Sequence, residues 1–216
     1  MISSARAQQV VVGSGATFVN NGANIVVNAN VVNSGTINNT ATGTIKLTGN
    51  WQNDGTYSPT GCTVTFSGSS AQTISGSNTT TFENFILNNS NGITLSKNIT
   101  VNSGLTFTSG KITTGANSLI LGSSATVSGA GSGKYVYGNL QWTLPSSGSP
   151  SRTFYIDDAG NYTPIMVDFM SLTAGGTVTG STTAGAHPQG TTSGISAVKR
   201  VNRYWTLTNN GATYAS

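Results

Sequence analysis

The chain has 216 residues and a net charge of +4, from nine lysines and arginines against five aspartates and glutamates. Only 6% of the residues are charged, whereas an average soluble domain has roughly 25%. Hydrophobic residues make up 36%, which favours a folded all-β chain over a disordered one, and no apolar run is long enough for us to expect a membrane span.

The first nine residues contain a pattern typical of export signals. Ala5 and Ala7 form the A-x-A sequence that precedes a signal-peptidase cut, although the apolar core of a signal peptide is missing. Residues 1–9 are therefore predicted to be a signal-peptide remnant or an N-terminal arm. Together with the low charge, this pattern leads us to expect an exported protein.

A loose repeat punctuated by Asn and Gly follows, with a spacing of about 13 to 25 residues, in the range typical of solenoids. Its rows include FVNNGANIVV, VVNSGTINNT, WQNDGTYSPT and VNSGLTFTSG. An antiparallel sandwich would use these turns in hairpins, but the segments beside them are short and unequal. Stacked asparagine ladders explain the recurring Asn better. We therefore predict a right-handed parallel β-helix over residues 10–133, with glycine or asparagine at corners that need positive φ.

The two-residue alternation of these segments also predicts which side chains point inward. Thr63, Thr65, Lys46 and Thr106 are expected on the outer face. The predicted inward set is Ile25, Val27, Ile37, Ile45, Leu47, Val64, Phe66, Ile74, Phe82, Phe85, Leu87, Ile93, Leu95, Ile99, Val101, Leu105, Phe107, Ile112, Leu119, Leu121 and Val127.

From Lys134 onward the strands are longer and the loops richer in proline, as in KYVYGNLQWTL and AVKRVNRYWTL. This change predicts an antiparallel β-sandwich-like domain over residues 134–216. We expect that domain to be incomplete and the chain to be the front of a longer protein. Lys199, Arg200 and Arg203 form the one basic cluster, but aromatic residues are not interleaved with it as a nucleic-acid site requires. We expect no nucleic-acid partner.

Few residues could carry chemistry. The predicted β-helix contains two carboxylates, Asp54 and Glu83, in different coils, so a catalytic pair is not expected. His187 is the single histidine and lies in a loop sequence without a G-x-S-x-G elbow nearby. Cys62 is the single cysteine, and we expect a buried small side chain there. We therefore predict no catalytic residues.

Two binding sites are considered. Asp157, Asp158 and Asn161 lie in one short loop and offer the oxygen ligands that Ca²⁺ prefers, although a plain turn is the simpler interpretation. A sugar site could use stacking aromatic rings if they are exposed, and packing in the core is the alternative for each of them. These candidate sugar ligands are Trp51, Tyr57, Trp142, Tyr155 and Tyr162.

An ordered series of phrases resembles large surface proteins of Bacteroidota. In this chain the series runs through TVTFSGSSAQTISG, FENFIL, ITVNSGLTF, KYVYGNL, RTFYIDDAGNYTPI and VNRYWTL, across most of residues 43–207. The resemblance implies an exported, adhesin-like protein at the cell surface, often delivered by type IX secretion. Glu83 and residues 154–158 depart from the family's pattern, so no shared ligand site is carried over.

These observations favour a non-enzymatic structural protein, a rigid stalk or filament segment in adhesion or extracellular matrix. The alternatives are a carbohydrate-binding module and a polysaccharide-degrading β-helix enzyme. Surface glycans or matrix are the expected partners, and no cofactor besides calcium is considered. The short, uncharged segment QQVVVGSG presents an edge that could pair within its own chain or with a second copy to form fibres.

Overall fold

The computed structural model describes residues 4–158, 160–191, 196 and 201–215. The chain is all-β, with 60% strand and 2% helix. About seven stacked coils of parallel strands form a β-solenoid, and antiparallel sheets follow near the C-terminus. The predicted parallel β-helix followed by antiparallel strands is confirmed.

The strands up to residue 59 have three to five residues each, and the strands of eight residues or more come later. Those up to residue 59 are β1 (Ser4–Ala7), β2 (Val10–Val12), β3 (Thr17–Asn21), β4 (Asn24–Val27), β5 (Val31–Asn33), β6 (Thr36–Thr40), β7 (Thr44–Leu47), β8 (Trp51–Asn53) and β9 (Thr56–Pro59). Next come β10 (Thr63–Phe66), β11 (Gln72–Ser75), β12 (Thr80–Asn88), β13 (Ile93–Leu95), β14 (Ile99–Ser109), β15 (Ile112–Leu121), β16 (Thr126–Ser128) and β17 (Val136–Leu144). The last are β18 (Ser151–Phe154), β19 (Ile156–Asp157), β20 (Ile165–Asp168), β21 (Leu172–Ala174), β22 (Gly176–Ala184), β23 (Arg203–Asn210) and β24 (Thr213–Tyr214), with a 3₁₀ helix at Pro188–Thr191.

The coils have three faces, and parallel strands are stacked along each of them. Face A consists of β1, β4, β7, β10, the later parts of β12 and β14, and β16. Face B consists of β2, β5, β8, β11, β13, the first residues of β15 and β17, and β19. Face C begins with β3, β6 and β9 and continues with the first parts of β12 and β14 and the later parts of β15 and β17.

The register stacks like positions of successive coils on one another. Ile25 pairs with Ile45, and Ile45 pairs with Val64, so inward side chains form columns parallel to the solenoid axis. Thr44 donates from Oγ1 to Asn24 Oδ1, 20 residues earlier, which is the usual length of one coil. A column of apolar side chains therefore fills the interior, while the alternate residues face solvent.

The predicted inward set is correct except at its end. All of its members are buried apart from Val127, which is partly buried against the core on the last strand of face A. The four residues predicted to point outward are exposed or half-buried. Val12 and Val31 also belong to the core, because they are inward residues of β2 and β5.

The predicted asparagine ladders are present inside the first coils. Asn20 Nδ2 donates to Asn39 Oδ1 at 2.9 Å, and Asn39 Nδ2 donates to the Tyr57 hydroxyl at 3.2 Å. In a second ladder, Asn33 Nδ2 donates to Asn53 Oδ1 at 2.8 Å. A buried amide without a partner would cost a few kcal/mol. Each buried asparagine therefore needs its neighbour in the next coil, which opposes any slip of the register.

Close approach between coils explains two corner glycines. Gly35 and Gly55 are the last residues of the corner sequences NSG and NDG. A Cβ on Gly55 would overlap the carbonyl oxygen of Gly35 in the preceding coil. Neither residue has positive φ, so the predicted need for positive φ does not apply at these corners. It does apply elsewhere, for example at Gly22 and Gly110, with φ of 82° and 84°.

The C-terminal part shares the core of the solenoid. On face C, β17 pairs in parallel with β15 on one side and antiparallel with β22 on the other, and β22 pairs antiparallel with β23. On face B, β19 still pairs in parallel with β17. Parallel stacking thus continues beyond the predicted boundary at residue 133. One apolar cluster runs from Val12 to Ala212 and includes Phe154 and Val178.

The N-terminal segment forms the first strands of the solenoid. Ser4–Ala7 form β1 and pair with β4, and Val10–Val12 form β2 and pair with β5. Residues 4–12 are therefore part of the first coil, while residues 1–3 lie outside the described residues. Fibre formation through this edge stays a prediction.

We expect Leu121→Asp to unfold the coils cooperatively. Leu121 is fully buried and is paired with Val101 and Trp142, so the new carboxylate would contact two neighbouring coils. The free energy of unfolding should fall by about 4 kcal/mol or more, measured by urea unfolding followed with tryptophan fluorescence. Ile120→Asp, the same change on the outer side of the strand, is the control and should cost much less. Equal unfolding of the two variants would contradict the inward assignment.

Candidate functional site

Two carboxylates lie beside an arginine where the last parallel strand meets the antiparallel sheet. Asp157 ends β19 and is fully buried, and Asp158 follows it. Arg203 begins β23, and its Nη1 lies 3.5 Å from Asp157 Oδ1 and forms an ion pair with Asp158 Oδ1. The same nitrogen donates to Thr182 Oγ1 at 3.1 Å. Asp158 Oδ2 also accepts a hydrogen bond from the backbone N–H of Ala184.

Tyr135 also contacts the cluster of Asp157, Asp158 and Arg203. Its side chain is buried and forms a hydrogen bond with Asp157. Burial raises the pKa of the Tyr135 phenol, and the negative charge of Asp157 raises it further. The phenol therefore stays protonated at neutral pH. Sequence reasoning missed both Tyr135 and the role of Arg203, which lies 45 residues from Asp158.

This arrangement bears on the calcium hypothesis for Asp157, Asp158 and Asn161. The chain supplies its own cation, since the guanidinium of Arg203 faces both carboxylates. Asn161 is exposed. Within the described parts of the chain, no three His, Cys, Asp or Glu side chains come together as a metal site would require. Arg203 therefore offsets one of the two negative charges and joins β19 to β22 and β23.

The candidate sugar-stacking aromatics are less exposed than the hypothesis required. Trp51 is 0% exposed, Tyr57 is 9% and Trp142 is 4%, so the expectation of exposed rings is wrong for these three. Tyr155 and Tyr162 are half-buried, and the Tyr162 ring centroid lies 6.3 Å from that of Tyr135. A buried ring offers no face to a sugar.

Packing of large rings in the interior explains this burial. The Trp51 ring meets Tyr57 edge-on at 4.9 Å and Phe82 at 5.4 Å between centroids. Its Nε1 donates to Thr80 Oγ1 at 3.2 Å, which satisfies the one polar atom of the indole. Trp142 is held similarly, because its Nε1 donates to Thr153 O at 3.0 Å and Arg152 covers its ring at 5.0 Å.

The two carboxylates of the solenoid lie apart and serve the backbone or a neighbouring coil. Asp54 follows β8 on face B, where its Oδ1 accepts from the Ser77 N–H at 2.8 Å and its Oδ2 from Gln52 Nε2 at 2.6 Å. The bond from Ser77, followed by that from Gln52, lowers the pKa of Asp54. Glu83 lies at an irregularity of β12 between faces C and A and accepts from Ser103 Oγ.

The remaining reactive side chains, His187 and Cys62, occupy separate places. His187 is exposed, and its Nδ1 accepts from the Gln189 N–H at 3.2 Å while its ring meets Tyr204 edge-on. Cys62 is buried, as predicted, with its Sγ 3.7 Å from the Tyr57 hydroxyl. Burial raises the pKa of the Cys62 thiol. Of the predicted basic cluster, Lys199 and Arg200 lie outside the described residues.

No protein-family model, curated protein or solved structure matches the chain. The described residues include no helix with the length and hydropathy needed to cross a membrane.

We expect Arg203→Leu to lower the free energy of unfolding by about 3 to 5 kcal/mol, because it leaves the buried Asp157 without its cation. Chemical unfolding followed by circular dichroism measures the loss, and Arg203→Lys, which keeps the charge, should lose less. Neither added Ca²⁺ nor EDTA should move the thermal midpoint of the unmodified chain. A rise of that midpoint with Ca²⁺, absent in Asp158→Asn, would instead establish a calcium site.

We expect the Cys62 thiol to resist alkylation in the folded protein. The thiol is 1% exposed and its pKa is raised, so both access and thiolate formation are suppressed. Labelling with iodoacetamide at pH 8, measured by mass spectrometry, should be at least about a thousand-fold slower than in urea. Cys62→Ala is the control for labelling elsewhere, and rapid labelling of the folded chain would show that the coils around β9 and β10 open.

Proposed function

We propose that this chain is a non-enzymatic structural segment, a rigid spacer in an exported protein that acts in adhesion or extracellular matrix. The observation that carries the proposal is the single apolar core that runs from the first coils into the antiparallel sheets. The solenoid and the antiparallel sheets share this core. We therefore expect them to behave as one rigid unit and to unfold together.

The interior contacts support a rigid role. Rings and aliphatic side chains fill the columns, and the two asparagine ladders tie the first coils to one another through buried hydrogen bonds. Where parallel stacking ends, Arg203 joins the last coil to β23 through Asp157 and Asp158. Such contacts stabilise one relative position of the coils.

The composition of the outer faces supports an extracellular or cell-surface location. With 6% charged residues, the surface is solvated mainly by Asn, Ser and Thr, so its interactions depend little on ionic strength. The sequence resemblance to Bacteroidota surface proteins points the same way and is the support for type IX secretion. Surface glycans, matrix or further copies of the chain are the partners that this role implies.

A polysaccharide-degrading enzyme is the less supported alternative. Glycoside hydrolysis uses two carboxyl groups on either side of one bond, about 5 to 10 Å apart. Asp54 and Glu83 lie at different parts of the solenoid, and each is held by a hydrogen bond to a neighbouring coil. The lowered pKa of Asp54 also suits a permanent acceptor better than a general acid.

The proposed role predicts that antibodies against the folded chain label intact cells of the source organism. Protease added outside those cells should remove the signal while a cytosolic marker stays protected. The double variant Asp54→Asn, Glu83→Gln should be labelled on intact cells as strongly as the unmodified protein. Labelling that requires permeabilised cells would contradict export, and a polysaccharide-cleaving activity lost in the double variant would favour the enzyme.

A further inference from the structure

A shallow groove of about 250 Å³ lies on the outer side of face B, over three consecutive coils. Val31 and Val32 line it together with polar side chains, and none of the lining residues is charged. We call this surface the neutral groove. Its polar lining consists of Asn30, Asn50, Gln52, Thr73 and Ser75.

The coil register arranges these side chains in two columns. Val31 pairs with Trp51 and Trp51 with Ile74, so the residues before them, Asn30, Asn50 and Thr73, form the first column. Val32 pairs with Gln52 and Gln52 with Ser75, which form the second. Adjacent members of a column are separated by about 4.8 Å, the spacing of neighbouring strands.

Backbone hydrogen bonds orient the amides of the first column. Asn30 Oδ1 accepts from the Asn50 N–H at 2.8 Å, and Asn50 Oδ1 accepts from the Thr73 N–H at 2.8 Å. A backbone N–H can bond only to the oxygen of an amide, so the NH₂ group is the part of each side chain that remains as a donor. The first column therefore presents two amide donors at successive coils.

The second column presents the complementary acceptor. Gln52 Nε2 donates to Asp54 Oδ2 at 2.6 Å, which leaves Gln52 Oε1 as an acceptor. Asp54 is itself held by the Ser77 N–H, so the orientation of the glutamine is supported from the next coil. The hydroxyls of Thr73 and Ser75 can donate or accept, and Val32 adds an apolar surface.

We propose that the neutral groove binds an uncharged sugar unit. Neighbouring hydroxyls of a sugar both donate and accept, which matches oriented donors in one column beside an oriented acceptor in the next, and the C–H groups of the ring can cover Val32. An ionic ligand would find no opposite charge among the lining residues. The unit is either a free monosaccharide or part of a glycan chain. This site is independent of the proposed spacer role.

Isosteric variants test the site while keeping the shape of each side chain. Asn30→Asp with Asn50→Asp keeps the oxygen that accepts each backbone N–H and removes both NH₂ donors. Asn98→Asp is the matched control, because Asn98 Oδ1 accepts from the Ser118 N–H at 2.9 Å in the same way, outside the groove. Thermal midpoints of all three proteins should be compared first, so that any loss of binding is separated from a loss of folding.

Binding is measured by calorimetry and by chemical shifts of backbone amides on β5, β8 and β11. The probes are glucose, galactose, mannose and N-acetylglucosamine, each also as a soluble oligosaccharide, at concentrations up to the millimolar range. We expect at least one probe to bind the unmodified chain and Asn98→Asp alike, and at least about tenfold more weakly to the double variant. Binding to oligosaccharides alone would identify a glycan chain as the source, and binding to monosaccharides would identify the free sugar.

Two outcomes would overturn the proposal. One is that no uncharged sugar shifts any amide of the groove at millimolar concentration. The other is that a bound sugar keeps its affinity for the double variant, which would place it elsewhere on the molecule. Neither outcome bears on the surface location of the protein, which the antibody experiment tests separately.

Discussion

Every layer of this structure depends on the parallel pairing of one coil with the next at a spacing of about 20 residues. A single coil of three short strands cannot bury its own side chains, and its backbone groups find partners in the coils on either side. This pairing places Ile25 on Ile45 and brings Asn33 within 2.8 Å of Asn53. It also brings the backbone of Gly35 so close to Gly55 that no larger side chain fits there.

The antiparallel part extends this stack because β17 belongs to both arrangements. One edge of β17 continues the parallel register, and the other begins the antiparallel sheet with β22. Two arginines lie at this transition: Arg203 contacts two aspartates, and Arg152 lies over the Trp142 ring. Buried charged groups need well-placed partners, so they favour one arrangement of the transition over alternatives of similar apolar packing.

The same register that builds the core also arranges the outer surface. Side chains that alternate with the core residues fall into columns on each face, as Thr73 and Thr94 do on face B. Elsewhere, side chains of these columns bond to one another, as Thr106 and Ser128 do. In the neutral groove, backbone hydrogen bonds to Asn30 and Asn50 turn two flexible amides into oriented donors. A stable solenoid can thus present a preorganised polar surface at little entropic cost, because the scaffold already orders these side chains.

The sequence by itself determined the all-β class, the stacked coils and nearly all of the aliphatic core, because side-chain alternation is a local property of a strand. It also indicated the ladders, since Asn recurs at the corners. Only the tertiary structure decided the burial of Trp51, because the next inward residue of its short strand is the polar Asn53. The pairing of Arg203 with Asp158 and the two columns of the neutral groove were decided there too. These contacts join residues of different strands, so they depend on the lengths of the coils and loops between those strands, which alternation along one strand does not specify.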